Sequence, residues 1–178
     1  MENKVLVVVD MQNDFIDGSL GTNEAVNIVD SVCELIKKEE YKAIFFTKDT
    51  HYNDYFDTLE GRKLPVKHCI LGTKGWDLND KIKEAMHTSK TKYIDILTKY
   101  TFGSELLLKQ VDGYIDEETE IVLCGLCTDI CVVSNALLLR AKYPNTIIKV
   151  VKDCCAGVTP ETHDAALKTM KMCQIDII

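Results

Sequence analysis

Positive charge is in deficit in this chain: 21 lysines and arginines face 28 aspartates and glutamates, for a formal net charge of −7. That balance excludes nonspecific binding to nucleic acid or to an anionic membrane surface. No apolar run approaches the roughly 20 residues that span a bilayer, so no membrane partner is expected. Internal repeats, low-complexity tracts and linkers are missing too. With 178 residues, 46% of them hydrophobic, one globular domain over residues 1–178 with a sizeable core is the expectation. The opening Met1-Glu2-Asn3-Lys4 leads straight into a strand pattern and lacks the layout of a signal peptide. Cysteine is plentiful, at eight, but the signs of pairing are not. Cys33, Cys124, Cys131 and Cys173 fall within apolar helix or strand patterns, which fits reduced thiols in a cytoplasmic protein. Cys124-x-x-Cys127 lacks the second ligand pair of a structural zinc site, and adjacent Cys154-Cys155 does not supply it. The motif also ends a strand instead of opening a thioredoxin-like helix.

What the chain does have is alternation. Apolar, β-branched runs at 5–9, 43–47, 93–97, 120–124, 146–151 and 175–178 read as strands. Between them lie helical patterns at 25–38, 78–86, 104–111, 129–142 and from Thr159-Pro160-Glu161 to about Met172. In the first helix Val26, Val29, Val32, Cys33 and Ile36 form the apolar face. Residues 48–75 read as a long irregular stretch, of a length usually functional or disordered. Repeated strand–helix units imply a three-layer α/β/α fold with a six-stranded parallel, doubly wound sheet. Such sheets bind ligands beyond the carboxyl ends of their strands.

Three residues fall at such ends: Asp10, Lys99 and Cys131. Cys131 follows a strand and a glycine turn and falls in the first turn of a helix capped by Thr128 or Asp129. Unpaired N–H groups and the helix dipole favour an anion there, which predicts a partly ionised, nucleophilic thiol. The plainer reading is a small residue packing helix on sheet. Singly, Lys99 reads as a solvated lysine and Asp10 as a turn residue. Together on one rim they suit a thiol hydrolase: Asp10 moves the proton from thiol to leaving amine, and Lys99 stabilises the thiolate. In the irregular stretch, Asp49-x-His51 with Glu60 and His68 offers a donor set for zinc, iron or manganese, with Asp54 and Asp57 competing for the same role. His87 and His163 fall on helical patterns and read as surface residues.

Several motifs in one order carry a resemblance. They are Val-Val-Val-Asp10-Met-Gln-Asn-Asp14-Phe15, Phe46-Thr-Lys-Asp49-Thr-His51 and Pro65-Val-Lys-His68-Cys69-Ile-Leu-Gly72-Thr73. Lys99-Tyr-Thr-Phe102-Gly-Ser104, Gly125-Leu-Cys-Thr128-Asp129-Ile-Cys131-Val132 and Asp153-Cys-Cys-Ala156 complete the set. The chain resembles the isochorismatase-like cysteine hydrolases over nearly its whole length, and among them the nicotinamidases most. The resemblance implies a triad of Asp10, Lys99 and Cys131, and an oxyanion hole of the Cys127 and Cys131 backbone N–H groups beside a non-proline cis peptide near Leu126-Cys127. It implies one divalent ion, zinc before iron or manganese, on Asp49, His51, Glu60 and His68. Phe15 and Phe102 are then expected to stack on a pyridine ring. Leu64-Pro65-Val66-Lys67 departs from the aromatic residue and two prolines that many nicotinamidases carry, and Trp76 reads as core, dimer surface or pocket. The implied activity is conversion of nicotinamide to nicotinate and ammonia through a cysteine thioester, in a homo-oligomer whose partner is a small-molecule amide. Alternatives are a metal-free relative acting on another amide, a carbamoyl compound or isochorismate, and a non-enzymatic thiol or metal protein.

Overall fold

The computed structural model describes residues 3–178. β1 (Lys4–Val9) is an unbroken apolar run, buried from Val5 onward. Such a strand can only sit in the middle of a sheet covered on both faces. Its neighbours are β2 (Ala43–Asp49) on one side and β4 (Glu120–Leu126) on the other. With β3 (Ile94–Lys99), β5 (Ile147–Ala156) and β6 (Asp176–Ile177), the sheet runs in the order β3-β2-β1-β4-β5-β6. Every pairing is parallel. The chain winds outward from β1 to β3, then returns to β4 and winds the other way. The gap between the ends of β1 and β4 is therefore the switch point of a doubly wound sheet, where ligands bind.

Helices cover both sides. A four-residue turn, α1 (Asn13–Ile16), precedes α2 (Asn23–Lys38), which packs with α4 (Asp80–Thr88) and against β4 and β5. Thr22 caps α2 by accepting the Ala25 N–H at 3.0 Å, so the helix begins two residues earlier than its apolar pattern. Its buried stripe is Ala25, Ile28, Val29, Val32, Cys33 and Ile36, whereas Val26, expected on that face, is 48% exposed. At 100° per residue Val26 falls beside Cys33 at the edge of that stripe, well off the centre line through Ala25 and Ile36. α5 (Glu105–Val111), α6 (Val133–Lys142) and α7 (Pro160–Met172) form a second row. Thr159 and Thr162 form a reciprocal cap at the start of α7, with Pro160 in its first turn.

Two departures from the sequence reading shape the site. Residues 48–75 are more ordered than expected: β2 runs to Asp49, a 3₁₀ turn covers Tyr55–Asp57, α3 covers Leu59–Lys63, and His51 bridges to Ile70. These pieces are too short to show periodicity. The second departure is in β4, whose pairing with β5 shifts register between Leu123 and Gly125. Gly125 has φ +117°, and a Cβ there would collide with the Val9 carbonyl, so only glycine lets the end of β4 close on the end of β1. Among the described residues no helix is long and apolar enough to cross a membrane.

Candidate active site

Asp10 directly follows β1 in a left-handed backbone conformation, φ 48°, fully buried. Thr47 of β2 fixes it from two directions: its hydroxyl donates to Asp10 Oδ1 at 2.7 Å, and its carbonyl and hydroxyl oxygens both accept from the Asp10 N–H at 3.2 Å. Lys99 is the last residue of β3, in register with Asp49 at the end of β2. Its ammonium lies 2.7 Å from Asp10 Oδ2, 3.0 Å from Asp49 Oδ1 and 3.4 Å from Cys131 Sγ, and donates to the Thr101 carbonyl at 3.1 Å. The three expected strand-end residues therefore meet at one cation.

Burial opposes the charge on Lys99, but Asp10, Cys131 and Asp49 together hold its pKa well above the usual lysine value. Burial raises the Asp10 carboxyl, with Asp49 adding to it and Lys99 opposing. The Cys131 thiol behaves differently from the sequence expectation. Burial and the charges of Asp10 and Asp49 outweigh Lys99 and push it well above an ordinary thiol. The helix cap also differs. Cys127 occupies the cap position without a side-chain bond, and a wide π-type turn over Thr128–Val132 leads into α6. Thr128 and Asp129 do not cap because they are engaged elsewhere. Thr128 Oγ1 pairs with His163 Nδ1 at 2.8 Å, and the Asp129 carboxylate accepts the Val158 N–H at 3.1 and 3.2 Å. His163, expected on the surface, is thus a half-buried partner of the Cys131 turn.

Beside the triad, Asp49, His51, Glu60 and His68 each offer one ligand atom, all within 4.8 Å of one another. His51 Nε2 lies 2.9 Å from Asp49 Oδ2 and 3.6 Å from Glu60 Oε1; His68 Nε2 lies 3.6 Å from both oxygens. His68 Nδ1–H donates to the Val66 carbonyl at 2.9 Å, which turns the Nε2 lone pair inward. His51 Nε2 is buried yet makes no hydrogen bond, because the nearby Asp49 oxygen is not aligned to share a proton with it. A buried imidazole nitrogen left unpaired among two carboxylates and a second imidazole fits a divalent cation. Burial would raise Asp49, but His51, His68 and Lys99 hold it far below the usual carboxylate range. Asp54 and Asp57 stay exposed and outside the cluster, since Glu60 on α3 is the acid that faces inward.

Comparison with known proteins agrees with this geometry. The Isochorismatase domain family matches residues 4–178. The chain belongs to that family. A nicotinamidase/pyrazinamidase of Mycobacterium tuberculosis is 27% identical over 191 residues, covering 98% of this chain and 98% of the relative. The crystal structure of a Pyrococcus horikoshii pyrazinamidase in complex with zinc superposes with a TM-score of 0.78 at 25% identity, covering 99% of each chain. An N-carbamoylsarcosine amidase of Thermoplasma acidophilum superposes with a TM-score of 0.73 at 26% identity, covering 99% of this chain and 95% of that one.

In this isochorismatase-family chain Cys131 opens with Asp49 and Glu60 of the ligand cluster onto one cavity of ≈ 210 Å³, whose walls include Phe15, Leu64, Phe102, Leu126, Cys127 and Ile130. The expected aromatic pair is present, and Leu64 takes a place on the wall. Trp76 is elsewhere: its indole N–H donates to Thr50 Oγ1 at 2.9 Å and its ring lies under the Lys48 ammonium, so it belongs to the core side. The Leu126-Cys127 peptide is cis. All eight cysteines are free. Cys124 is buried in β4 while Cys127 lines the cavity, so the CxxC pair forms no centre of its own.

Sequence reasoning missed the residues that hold these groups in place. The Gln12 amide donates to the carbonyls of Asp49 (2.9 Å) and Trp76 (2.8 Å) and accepts the Asp49 N–H at 2.7 Å. It stands inside the Asp10-Met-Gln-Asn-Asp14 motif, and a glutamine three residues past the end of an apolar strand was the available signal. Asn135, one helical turn beyond Cys131, gave no signal beyond that spacing.

Proposed function

We propose that this protein hydrolyses nicotinamide to nicotinate and ammonia through a thioester on Cys131. The observation that carries the reading is Lys99, whose one ammonium touches Asp10, Cys131 and a carboxylate of the His–carboxylate cluster. Family membership makes the chain a hydrolase acting on amide C–N bonds.

Burial favours the neutral thiol, and attack then requires Asp10 to accept its proton as the S–C bond forms. A carboxyl raised by burial is a better match for that transfer than a free aspartate. Lys99 offsets the negative charge as it passes between thiolate and carboxylate. The carbonyl oxygen of the tetrahedral adduct takes hydrogen bonds from the backbone N–H groups of Cys127 and Cys131. Asp10 returns the proton to the departing nitrogen, and ammonia leaves. Water then gives a proton to Asp10 and adds to the thioester carbon; the C–S bond breaks, the thiol regains its proton and nicotinate departs. Phe15 and Phe102 flank the ring and exclude water from it. Asp49, His51, Glu60 and His68 would hold one divalent ion, for which the two-nitrogen, two-oxygen donor set favours zinc. When bound, that ion supplies a Lewis acid for the pyridine nitrogen. The zinc complex of the Pyrococcus relative supports this assignment.

The test is ammonia release from nicotinamide by the purified protein, before and after removal of metal by a chelator, with metal content measured in parallel. Release that falls on stripping and returns with zinc is expected. Full-rate hydrolysis by metal-free protein would refute the metal assignment. No release from nicotinamide, with release from a carbamoyl amide, would move the substrate toward that of the Thermoplasma relative.

A further inference from the structure

The Cys131 turn and the Phe102 wall come from different parts of the chain, and one buried side chain ties them together. Asn135, 1% exposed, lies on α6 one turn beyond Cys131. Its Nδ2 donates to the Cys131 carbonyl at 2.8 Å and to the Phe102 carbonyl at 3.2 Å, and its Oδ1 accepts the Ser104 N–H at 2.9 Å. The segment it grips has little else to fix it. Among the described residues no backbone–backbone hydrogen bond reaches Thr101, Phe102 or Gly103. The side-chain ties are Lys99 to the Thr101 carbonyl and Asn135 on either side of Gly103. Gly103 itself lies so close to Leu138 of α6 that a Cβ would collide with that side chain. The aromatic wall is thus suspended from α6, the helix that the turn carrying the thiol leads into.

We propose that Asn135 is a positioning residue that sets the width of the slot between Phe102 and Cys131, and thereby selects flat ring-bearing amides over small unbranched ones. This rests on the reading of Cys131 as nucleophile and Phe102 as ring wall. Phe102 is 45% exposed and lines both the inner cavity and a wider vestibule of ≈ 760 Å³. Without its anchor it can swing into that outer space at little cost. The bond to the Cys131 carbonyl is local, spanning one helical turn, whereas the bonds to Phe102 and Ser104 span more than 30 residues. A threonine hydroxyl can donate to the carbonyl four residues back but is too short to bridge to a neighbouring segment. Asn135→Thr therefore cuts the wall loose and leaves the nucleophile's turn tied, while Asn135→Ala removes both ties.

The experiment measures alkylation of Cys131 in the full-length zinc-loaded protein by two reagents, iodoacetamide and 3-(chloroacetyl)pyridine, followed by mass spectrometry of the Cys131 peptide. In Asn135→Thr the iodoacetamide rate should stay within about twofold of the parent. The pyridyl reagent should lose about tenfold, the effect of one or two neutral hydrogen bonds. In Asn135→Ala both rates should fall, the pyridyl one further. With nicotinamide, Asn135→Thr should raise KM and largely keep kcat. An unchanged ratio of the two alkylation rates, or an equal fall of both in Asn135→Thr, would overturn the proposal; either would show a residue that only supports the fold. Rates are taken below the Tm of each variant. If the parent releases no ammonia from nicotinamide, the functional reading fails while the alkylation ratio still decides the role of Asn135.

Discussion

Replacing Lys99 with methionine keeps most of the side-chain volume and deletes the charge on which three groups converge. At 3.4 Å from Cys131 Sγ, and with an effective dielectric of about 20, the ammonium stabilises a thiolate by about 5 kcal/mol. At about 1.4 kcal/mol per pKa unit that is more than three units. Part of it is cancelled. Asp10 loses its partner at 2.7 Å, its carboxyl is raised further, and once protonated it stops repelling the thiolate. The net result should be a rise of about one to two units. The assay is the pH profile of iodoacetamide attachment at Cys131, read on the peptide because Cys127 and Cys173 are also accessible. In the parent the thiol is already held above its ordinary value, so its rate climbs only in the alkaline range. In Lys99→Met it should climb later still. Stability should fall as well, since breaking a buried ion pair costs about 3–5 kcal/mol of the roughly 5–15 kcal/mol that a domain has. The sign of its pH dependence follows from Asp10. A carboxyl whose folded pKa rises further above its unfolded value near about 4 is tolerated at acid pH and penalised above it. The deficit of the variant in urea unfolding should therefore widen from about pH 4 to neutrality. Superimposable alkylation profiles for parent and variant would remove Lys99 from the site.

Cys131→Ala should abolish ammonia release with little change in Tm, whereas Cys124→Ala and Cys127→Ala should keep substantial activity; equal loss in all three would indicate a shared thiol centre. Asp10→Asn preserves shape but not basicity, and kcat should fall by the ~10²–10⁴-fold typical of general acid–base catalysis, or more. About one metal ion per chain is expected by elemental analysis, lost in His51→Ala and in His68→Ala, with affinity declining as pH falls because an imidazole ligand must be unprotonated to bind, and against burial Asp49 holds the His68 imidazole above its usual value. Gln12→Ala leaves every ligand in place but frees the Asp49 backbone, so metal affinity should weaken by about 10–100-fold with unchanged circular dichroism; unaltered affinity would show that the strand alone holds Asp49.

What could be read in advance was local. Thr159-Pro160-Glu161 at the start of α7 is a three-residue signal, and the structure reproduces the helix start with Pro160 in its first turn. The six strands and their parallel order follow from apolar runs alternating with amphipathic helices. β5 was read as ending near Val151 because Lys152 and Asp153 break the apolar pattern; the strand continues to Ala156 with those two side chains in solvent. Spacing could not choose among Asp54, Asp57 and Glu60 as the fourth ligand. That choice depends on α3, whose cap Thr58 accepts the Gly61 N–H and whose first turn points Glu60 inward. The direction in which burial shifts the Cys131 thiol is hidden for a related reason. A position in a helical turn is visible in the sequence, but two carboxylates from β1 and β2 closing on it are not.

Asp49 shows why the two halves of the site have to be considered together. Its Oδ1 faces Lys99 and its Oδ2 faces His51 and His68, so one carboxylate belongs both to the charge network around Cys131 and to the candidate ligand cluster. The register that pairs Asp49 with Lys99 puts their side chains on the same face of neighbouring parallel strands. Neither can move without the other. β1 cannot brace Asp49 from its other side with main-chain bonds, because it turns away at Asp10 with φ 48°. The Gln12 amide makes those bonds instead, accepting the N–H and donating to the carbonyl of Asp49 as a neighbouring strand would. The left-handed turn at Asp10 thus does two things at once. It aims a carboxylate at Lys99, and it brings Gln12 round to complete the sheet edge on which the ligand cluster is built.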